Sequence, residues 1–127
     1  MEPSAYELMG GDSAVRTLVD RFYDHMDVLP QAATIRAMHP ADLTSSRDKF
    51  YEFMSGWLGG PPLYWERRGH PRLRRRHLPF AVDLAAAEAW MACMELALAE
   101  VVDDPSLRQW LTERLTAVAA HMINREG

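Results

Sequence analysis

Cysteine is nearly missing from this chain, with Cys93 the single one among 127 residues. One thiol excludes an internal disulfide and a multi-thiolate metal site, and its plain expectation is a small buried apolar residue. Long apolar runs are missing as well. None approaches the roughly 20 residues that cross a bilayer, and the N-terminus has no basic stretch followed by an apolar core, so no membrane partner is expected and a cytoplasmic location is. An excess of positive charge is also lacking: a net charge of −4 argues against general affinity for nucleic acid, although the arginines cluster. Strand-like alternation, internal repeats and low-complexity tracts do not occur. Neither does a phosphate loop, a dinucleotide fingerprint, or a serine nucleophile in its usual glycine setting. The histidines, at 25, 39, 70, 77 and 121, include no pair at three- or four-residue helical spacing, which removes a local multi-histidine zinc site.

What is present reads as helix. Apolar residues make up 48% and charged residues 25%, values of a globular protein, and the length suits one domain over residues 1–127. A short helix over 4–9 is stopped by Gly10-Gly11, after which Asp12 or Ser13 can cap a helix over 14–28. Val15, Leu18, Val19, Phe22, Tyr23 and Met26 line one face of it, so Tyr23 points a phenol into whatever that face covers. A short segment from about 31 ends at Met38-His39-Pro40. Thr44 or Ser45 then caps a helix carrying Phe50, Phe53, Met54, Trp57 and Leu58, closed by Gly59-Gly60-Pro61-Pro62. The stretch 63–72 is expected as loop. Asp83 begins an alanine-rich helix to about Val102 with Trp90, Met91, Met94 and Leu98 near one face. After Asp103-Asp104-Pro105, a last helix over about 106–124 places Leu107, Leu111, Leu115, Val118 and Met122 at helical steps.

Between these helices lies Gly69-His70-Pro71-Arg72-Leu73-Arg74-Arg75-Arg76-His77-Leu78-Pro79-Phe80. Prolines 71 and 79 allow only a short helical piece between them, and His77 sits on it. One interpretation is a basic solvated connector beside an ordinary helical core. The other is a haem pocket: a flat apolar macrocycle needs apolar walls, its iron an axial imidazole, and its propionates cationic or hydroxyl partners. His77 could supply the imidazole, and Lys49, Tyr64, Arg74 or Arg76 the rim contacts. Donors such as Tyr23 and Trp90 could face a bound diatomic ligand.

The residues resemble a known family, the truncated haemoglobins, and specifically its second group. The resemblance is carried by Arg21-Phe22-Tyr23, Trp57-Leu58-Gly59-Gly60-Pro61, Tyr64, the stretch 69–80 and Ala89-Trp90-Met91, in order and over nearly the whole chain. It implies an all-α two-over-two helical sandwich around haem b, with the helix of the proximal histidine reduced to a turn. The family's proximal histidine falls on His77, its distal tyrosine on Tyr23 and the group's tryptophan on Trp90. Ser46 falls at the distal gate and Phe50 over the haem, with Lys49 toward a propionate. Phe53, Tyr64, Arg74, Arg76 and Phe80 complete the residues expected against the cofactor.

Two departures matter. The position where this group often carries tyrosine holds His39, which could act as a third distal donor or swing toward iron, and the chain between Tyr23 and His39 is slightly longer than in the shortest members. The resemblance implies reversible binding of oxygen and other diatomic ligands, serving sensing or redox chemistry with nitric oxide or peroxide more than oxygen transport. Peroxidase or nitric oxide dioxygenase turnover would need electrons from an unidentified reductase. The competing expectation is a cofactor-free helical module that binds phosphate or nucleic acid through Arg67 to Arg76. Apolar faces on the last two helices also allow a homodimer.

Overall fold

The computed structural model describes residues 3–125, and the remaining residues of the expected domain, 1–2 and 126–127, lie outside it. Helix α1 (Ala5–Met9) is capped by Ser4, whose hydroxyl accepts from the Glu7 N–H at 3.2 Å. Helix α2 (Asp12–Val28) begins two residues earlier than the expected 14–28. Its cap is Gly11, whose carbonyl accepts from the Val15 N–H at 3.1 Å, so the expected caps Asp12 and Ser13 lie inside the first turn. A 3-10 turn (Pro30–Ala32) leads into α3 (Ala33–Ala37).

Helix α4 (Thr44–Trp57) also lacks its expected Thr44 or Ser45 cap. Leu43 holds the cap position, and Asp42 Oδ1 reaches forward to accept the Thr44 N–H at 2.9 Å. The helix stops where the chain meets α1. A Cβ on Gly60 would stand 2.4 Å from the Tyr6 ring and one on Gly59 2.8 Å from Ser4, and Gly59 has φ 97°, so only glycine suits this corner.

The stretch expected as loop is helical over α5 (Leu63–Arg68), which Pro61-Pro62 precede rather than prevent, since proline is tolerated ahead of and in a first helical turn. Helix α6 (Leu73–His77) is the short piece between the two prolines. Helices α7 (Leu84–Val101) and α8 (Pro105–His121) are capped by Asp83 and Asp104 through side-chain bonds to Ala86 N–H and Ser106 N–H.

Among the described residues there is no strand. Helices α2 and α4 form one layer and α7 and α8 the other: α2 packs on α7, α7 on α8, and α4 on α2 and α5. The fully buried side chains Val15, Leu18, Val19, Phe22 and Met26 of α2 meet Cys93, Met94 and Leu98 of α7, with Leu111 and Leu115 of α8 beyond. Each such large apolar side chain contributes about 1.5–3 kcal/mol by leaving water. Cys93 is buried as expected, and burial pushes its thiol up to about 11. Helix α4 does not close on α7 or α8, and the space between them is a cavity. No helix among the described residues is long and apolar enough to cross a membrane.

Candidate functional site

The cavity encloses about 300 Å³, within about 1280 Å³ of non-protein space once its open mouth is counted. Every layer of the sandwich contributes to its wall. Helix α2 supplies Tyr23, the end of α3 supplies Met38 and His39, and α4 supplies Ser46, Lys49, Phe50, Phe53 and Met54. Tyr64 comes from α5, Leu73, Arg76 and His77 from α6, Trp90 from α7, and Leu115, Val118 and Met122 from α8 or just past it. Of the twelve residues expected around a cofactor or its ligand, Arg74 and Phe80 are not among those lining the cavity. Arg74 lines a neighbouring groove, and Phe80 is 41% exposed beyond the end of α6.

An aromatic cluster sets the inner wall. Phe22, 1% exposed, packs edge-on or tilted against Tyr23, Phe50 and Trp90, with ring centroids 5.0, 5.2 and 5.2 Å away. Phe50 and Trp90 meet at 6.0 Å, and Tyr23 meets His39 at 5.8 Å with planes at 77°. Such interlocked rings leave each with little freedom to turn. Tyr23 donates to the Ser46 carbonyl at 3.4 Å, a long bond, and burial pushes its phenol well above its usual range. Among the described residues the Trp90 indole N–H has no protein acceptor within hydrogen-bond range.

Two imidazoles share the cavity, and both are tied the same way. His77 Nδ1 lies 2.6 Å from the Leu73 carbonyl oxygen, and His39 Nδ1 lies 2.8 Å from that of Ile35. A carbonyl can only accept, so each ring carries its proton on Nδ1 and keeps a lone pair on Nε2. Burial holds His39 below its ordinary value, a shift the Ile35 carbonyl partly opposes while Arg36 and His77 add to it. Charge gathers at the rim: Lys49 and Arg76 are exposed, and Arg76 stands over the Tyr64 ring at 6.0 Å while its Nε donates to the Pro71 carbonyl at 2.8 Å.

Sequence reasoning missed Asn124. Its Nδ2 donates to the His77 carbonyl at 3.1 Å and its Oδ1 accepts from the Val82 N–H at 2.9 Å, so the end of the chain ties down both ends of the turn after α6. No sequence signal marks it, because a lone polar residue past a helix end is ordinary.

The wall fits a haem: a mostly apolar lining, an imidazole with a free Nε2 on a hydrogen-bonded turn, and cations at the mouth. Similarity to known proteins agrees. Residues 4–124 match the family model of the Bacterial-like globin. The chain is 40% identical over 120 residues to the Group 2 truncated hemoglobin YjbI of Bacillus subtilis (strain 168), covering 94% of this chain and 88% of that relative. Its fold is similar to that of the cold-adapted truncated hemoglobin from the Antarctic marine bacterium Pseudoalteromonas haloplanktis TAC125, with a TM-score of 0.95, 42% identity and coverage of 97% and 99% of the two chains. The Group II 2-on-2 hemoglobin of Agrobacterium tumefaciens superposes with a TM-score of 0.94 at 44% identity, covering 99% of this chain and 97% of that one. With its two-over-two helices and a cavity shaped for haem, the chain belongs to the bacterial-like globins, among the group II truncated haemoglobins, and haem is its cofactor.

Proposed function

We propose that this globin holds haem iron through His77 Nε2 and retains diatomic ligands in a polar distal cage, in the service of oxygen, nitric oxide or peroxide redox chemistry or sensing. The observation that carries this is the His77 Nδ1–H bond to the Leu73 carbonyl at 2.6 Å, which fixes the tautomer that frees Nε2 for a metal. When bound, the haem supplies the iron site for the diatomic ligand and the one-electron chemistry that goes with it. The chain's own residues do the rest. Tyr23 keeps its proton at every physiological pH because burial raises its phenol, and its long bond to Ser46 leaves it available to a better acceptor. The unpartnered indole N–H of Trp90 is a second donor, held in direction by Phe22 and Phe50. Phe50 and Phe53 would give the cofactor apolar walls, and Lys49, Tyr64 and Arg76 would meet its propionates.

Two rigid donors around a ligand that gains negative charge slow its release. Slow release suits reaction with the ligand or sensing of it better than delivery. Turnover as a peroxidase or nitric oxide dioxygenase then draws electrons from a partner reductase.

The test is an absorption spectrum of the purified protein, ferric and then dithionite-reduced under carbon monoxide, for wild type and His77→Ala. We expect a Soret band that shifts with carbon monoxide in the wild type and is lost or strongly weakened in His77→Ala. A variant with full haem content and an unchanged spectrum would remove His77 as the ligand.

A further inference from the structure

A second concavity lies beside the haem cavity, an open groove of about 640 Å³ between the end of α4, the turn after α5, the start of α6 and α8. Its lining includes the indoles of Trp57 and Trp65, the imidazole of His70 and the guanidiniums of Arg72 and Arg74. Phe53, Leu73, Val118 and Met122 line both this groove and the haem cavity, so a single layer of side chains separates the two spaces.

Three features of the groove's lining stand apart from an ordinary surface. First, its guanidiniums are uncommitted. Arg67 and Arg68 of the same basic stretch are ion-paired with Glu52, whereas among the described residues no carboxylate lies within 4.0 Å of Arg72 or Arg74. Second, Trp65 is 55% exposed, and among the described residues its only aromatic neighbour is the His70 ring at 4.6 Å, so an indole face is left open beside the cations. Third, Arg72 has φ 48° and ψ 52°, and among the described residues no other non-glycine has positive φ. That conformation is unfavourable for an arginine, and it is held by the His70 ring, whose Nδ1 accepts from the Arg72 N–H at 2.9 Å. The same bond leaves the neutral His70 ring with its proton on Nε2, as a further donor.

An open indole face with two free guanidiniums and an imidazole donor matches a planar ring bearing a doubly charged oxyanion. A carboxylate would satisfy one guanidinium fork, whereas a phosphate offers enough acceptor oxygens for two. Inorganic phosphate alone would leave the indoles unused. We propose that this groove binds a mononucleotide-sized aromatic phosphate, ring against Trp65 and phosphate between Arg72 and Arg74, and that its occupancy is felt at His77.

The second half of this rests on His77 being the iron ligand. The path is one helical turn long. Leu73, between the two arginines, gives its side chain to both cavities and its carbonyl to His77 Nδ1 at 2.6 Å. The Arg72 carbonyl accepts from the Arg76 N–H at 3.0 Å. A phosphate that draws Arg72 and Arg74 together therefore acts on the turn whose Leu73 carbonyl sets the orientation of the His77 ring.

Calorimetric titration of the haem-loaded protein with adenosine monophosphate and with flavin mononucleotide tests the binding. Adenosine, riboflavin and inorganic phosphate serve as the ring-only and phosphate-only probes. At least one of the two nucleotides should bind, with its ring-only counterpart and inorganic phosphate each about tenfold weaker or worse. Trp65→Ala and Arg72→Gly should each weaken it by about tenfold. Glycine is chosen at 72 because φ 48° suits it, so the fold is kept while the guanidinium is removed. Arg75→Ala, an exposed position outside the groove, should change nothing. Resonance Raman of the ferrous protein reads the coupling: the iron–histidine stretching band should move when the bound nucleotide is added, and not in Arg72→Gly.

Absence of binding by both nucleotides overturns the site, as does equal weakening by Arg75→Ala and Arg74→Ala, the mark of unspecific charge attraction. Binding with a stationary band overturns the coupling. A His77→Ala protein that keeps full haem and an unchanged spectrum sinks the His77 assignment instead, and the calorimetry still reports on the groove.

Discussion

His39 and His77 carry the same internal tether with opposite consequences. Each ring donates Nδ1–H to the carbonyl four residues back, at 2.8 and 2.6 Å. For His77 that leaves Nε2 free to take a metal. For His39 it leaves an acceptor where a ligand-stabilising donor was expected, so a neutral His39 can approach iron but can donate to a ligand only once protonated. Burial lowers its pKa, which makes protonation costly in the folded protein. The sign follows from linkage: as pH falls below the ordinary imidazole value of about 6.5, the unfolded chain binds the proton first, so stability declines until the folded-state value is passed. Urea midpoints of the ferrous carbon monoxide form from pH 7.5 to pH 5 should therefore fall more steeply in wild type than in His39→Phe. Identical slopes would mean that His39 titrates freely. Tyr23 and Trp90 are donors without that condition. Tyr23→Phe and Trp90→Phe should each speed oxygen release by about tenfold in stopped-flow displacement, the rate equivalent of one hydrogen bond to a charged acceptor. Unchanged rates in both would dissolve the proposed cage.

Between elements, the firmest polar tie near the site joins α4 to α5. Glu52 is 4% exposed, and its carboxylate accepts from Arg68 Nε at 2.6 Å and Arg67 Nη1 at 3.1 Å. The Arg68 bond first, and then Arg67, hold its carboxyl below the usual range against the opposing effect of burial. Arg68→Met leaves a buried carboxylate with half its partners and should cost about 1–3 kcal/mol in urea unfolding at pH 7. Glu52→Gln, with both arginines free to turn to water, should cost less. A depressed carboxyl stabilises the fold above the unfolded pKa and loses that contribution as pH falls through the folded value, so wild type and Glu52→Gln should converge in acid. A constant gap down to pH 3 would locate the effect in packing rather than charge. The same tie explains why α5 was not legible: six residues between Pro62 and Gly69 are too few to show a period, and a short helix is stabilised by what it touches. The long helices were legible from their apolar stripes alone. Their starts at Gly11 and Leu43 were not, because Asp12 and Thr44 look like caps until the backbone shows the glycine and Asp42 doing that work.

At the scale of the molecule, the cavity exists because α4 stands off α7 and α8, and something must keep the short α6 turn at its mouth. The all-α class was legible from periodicity, and the sandwich from the family resemblance, which also set Tyr23, Phe50 and Trp90 around a common space. Asn124 was not, since its partner His77 lies 47 residues away and neither residue's neighbours hint at the other. Yet Asn124 closes the fold at this point. Its side chain bonds the His77 carbonyl and the Val82 N–H, and its backbone N–H bonds the Val82 carbonyl at 2.8 Å, so the segment after α8 fastens the turn that carries His77. Asn124→Ala removes both side-chain bonds and should cost about 1–3 kcal/mol of stability. Its sharper consequence is kinetic: with α6 loosened, haem should pass to an excess of apomyoglobin about tenfold faster, a tenfold rate being about 1.4 kcal/mol of barrier. Asn124→Asp separates the two bonds. The carboxylate still accepts from Val82 N–H but offers the His77 carbonyl only another acceptor, so haem should leave it about as fast as from Asn124→Ala while the Val82 side stays tied. Equal haem-loss rates in all three proteins would place the hold on α6 in its own helical hydrogen bonds and not in the end of the chain.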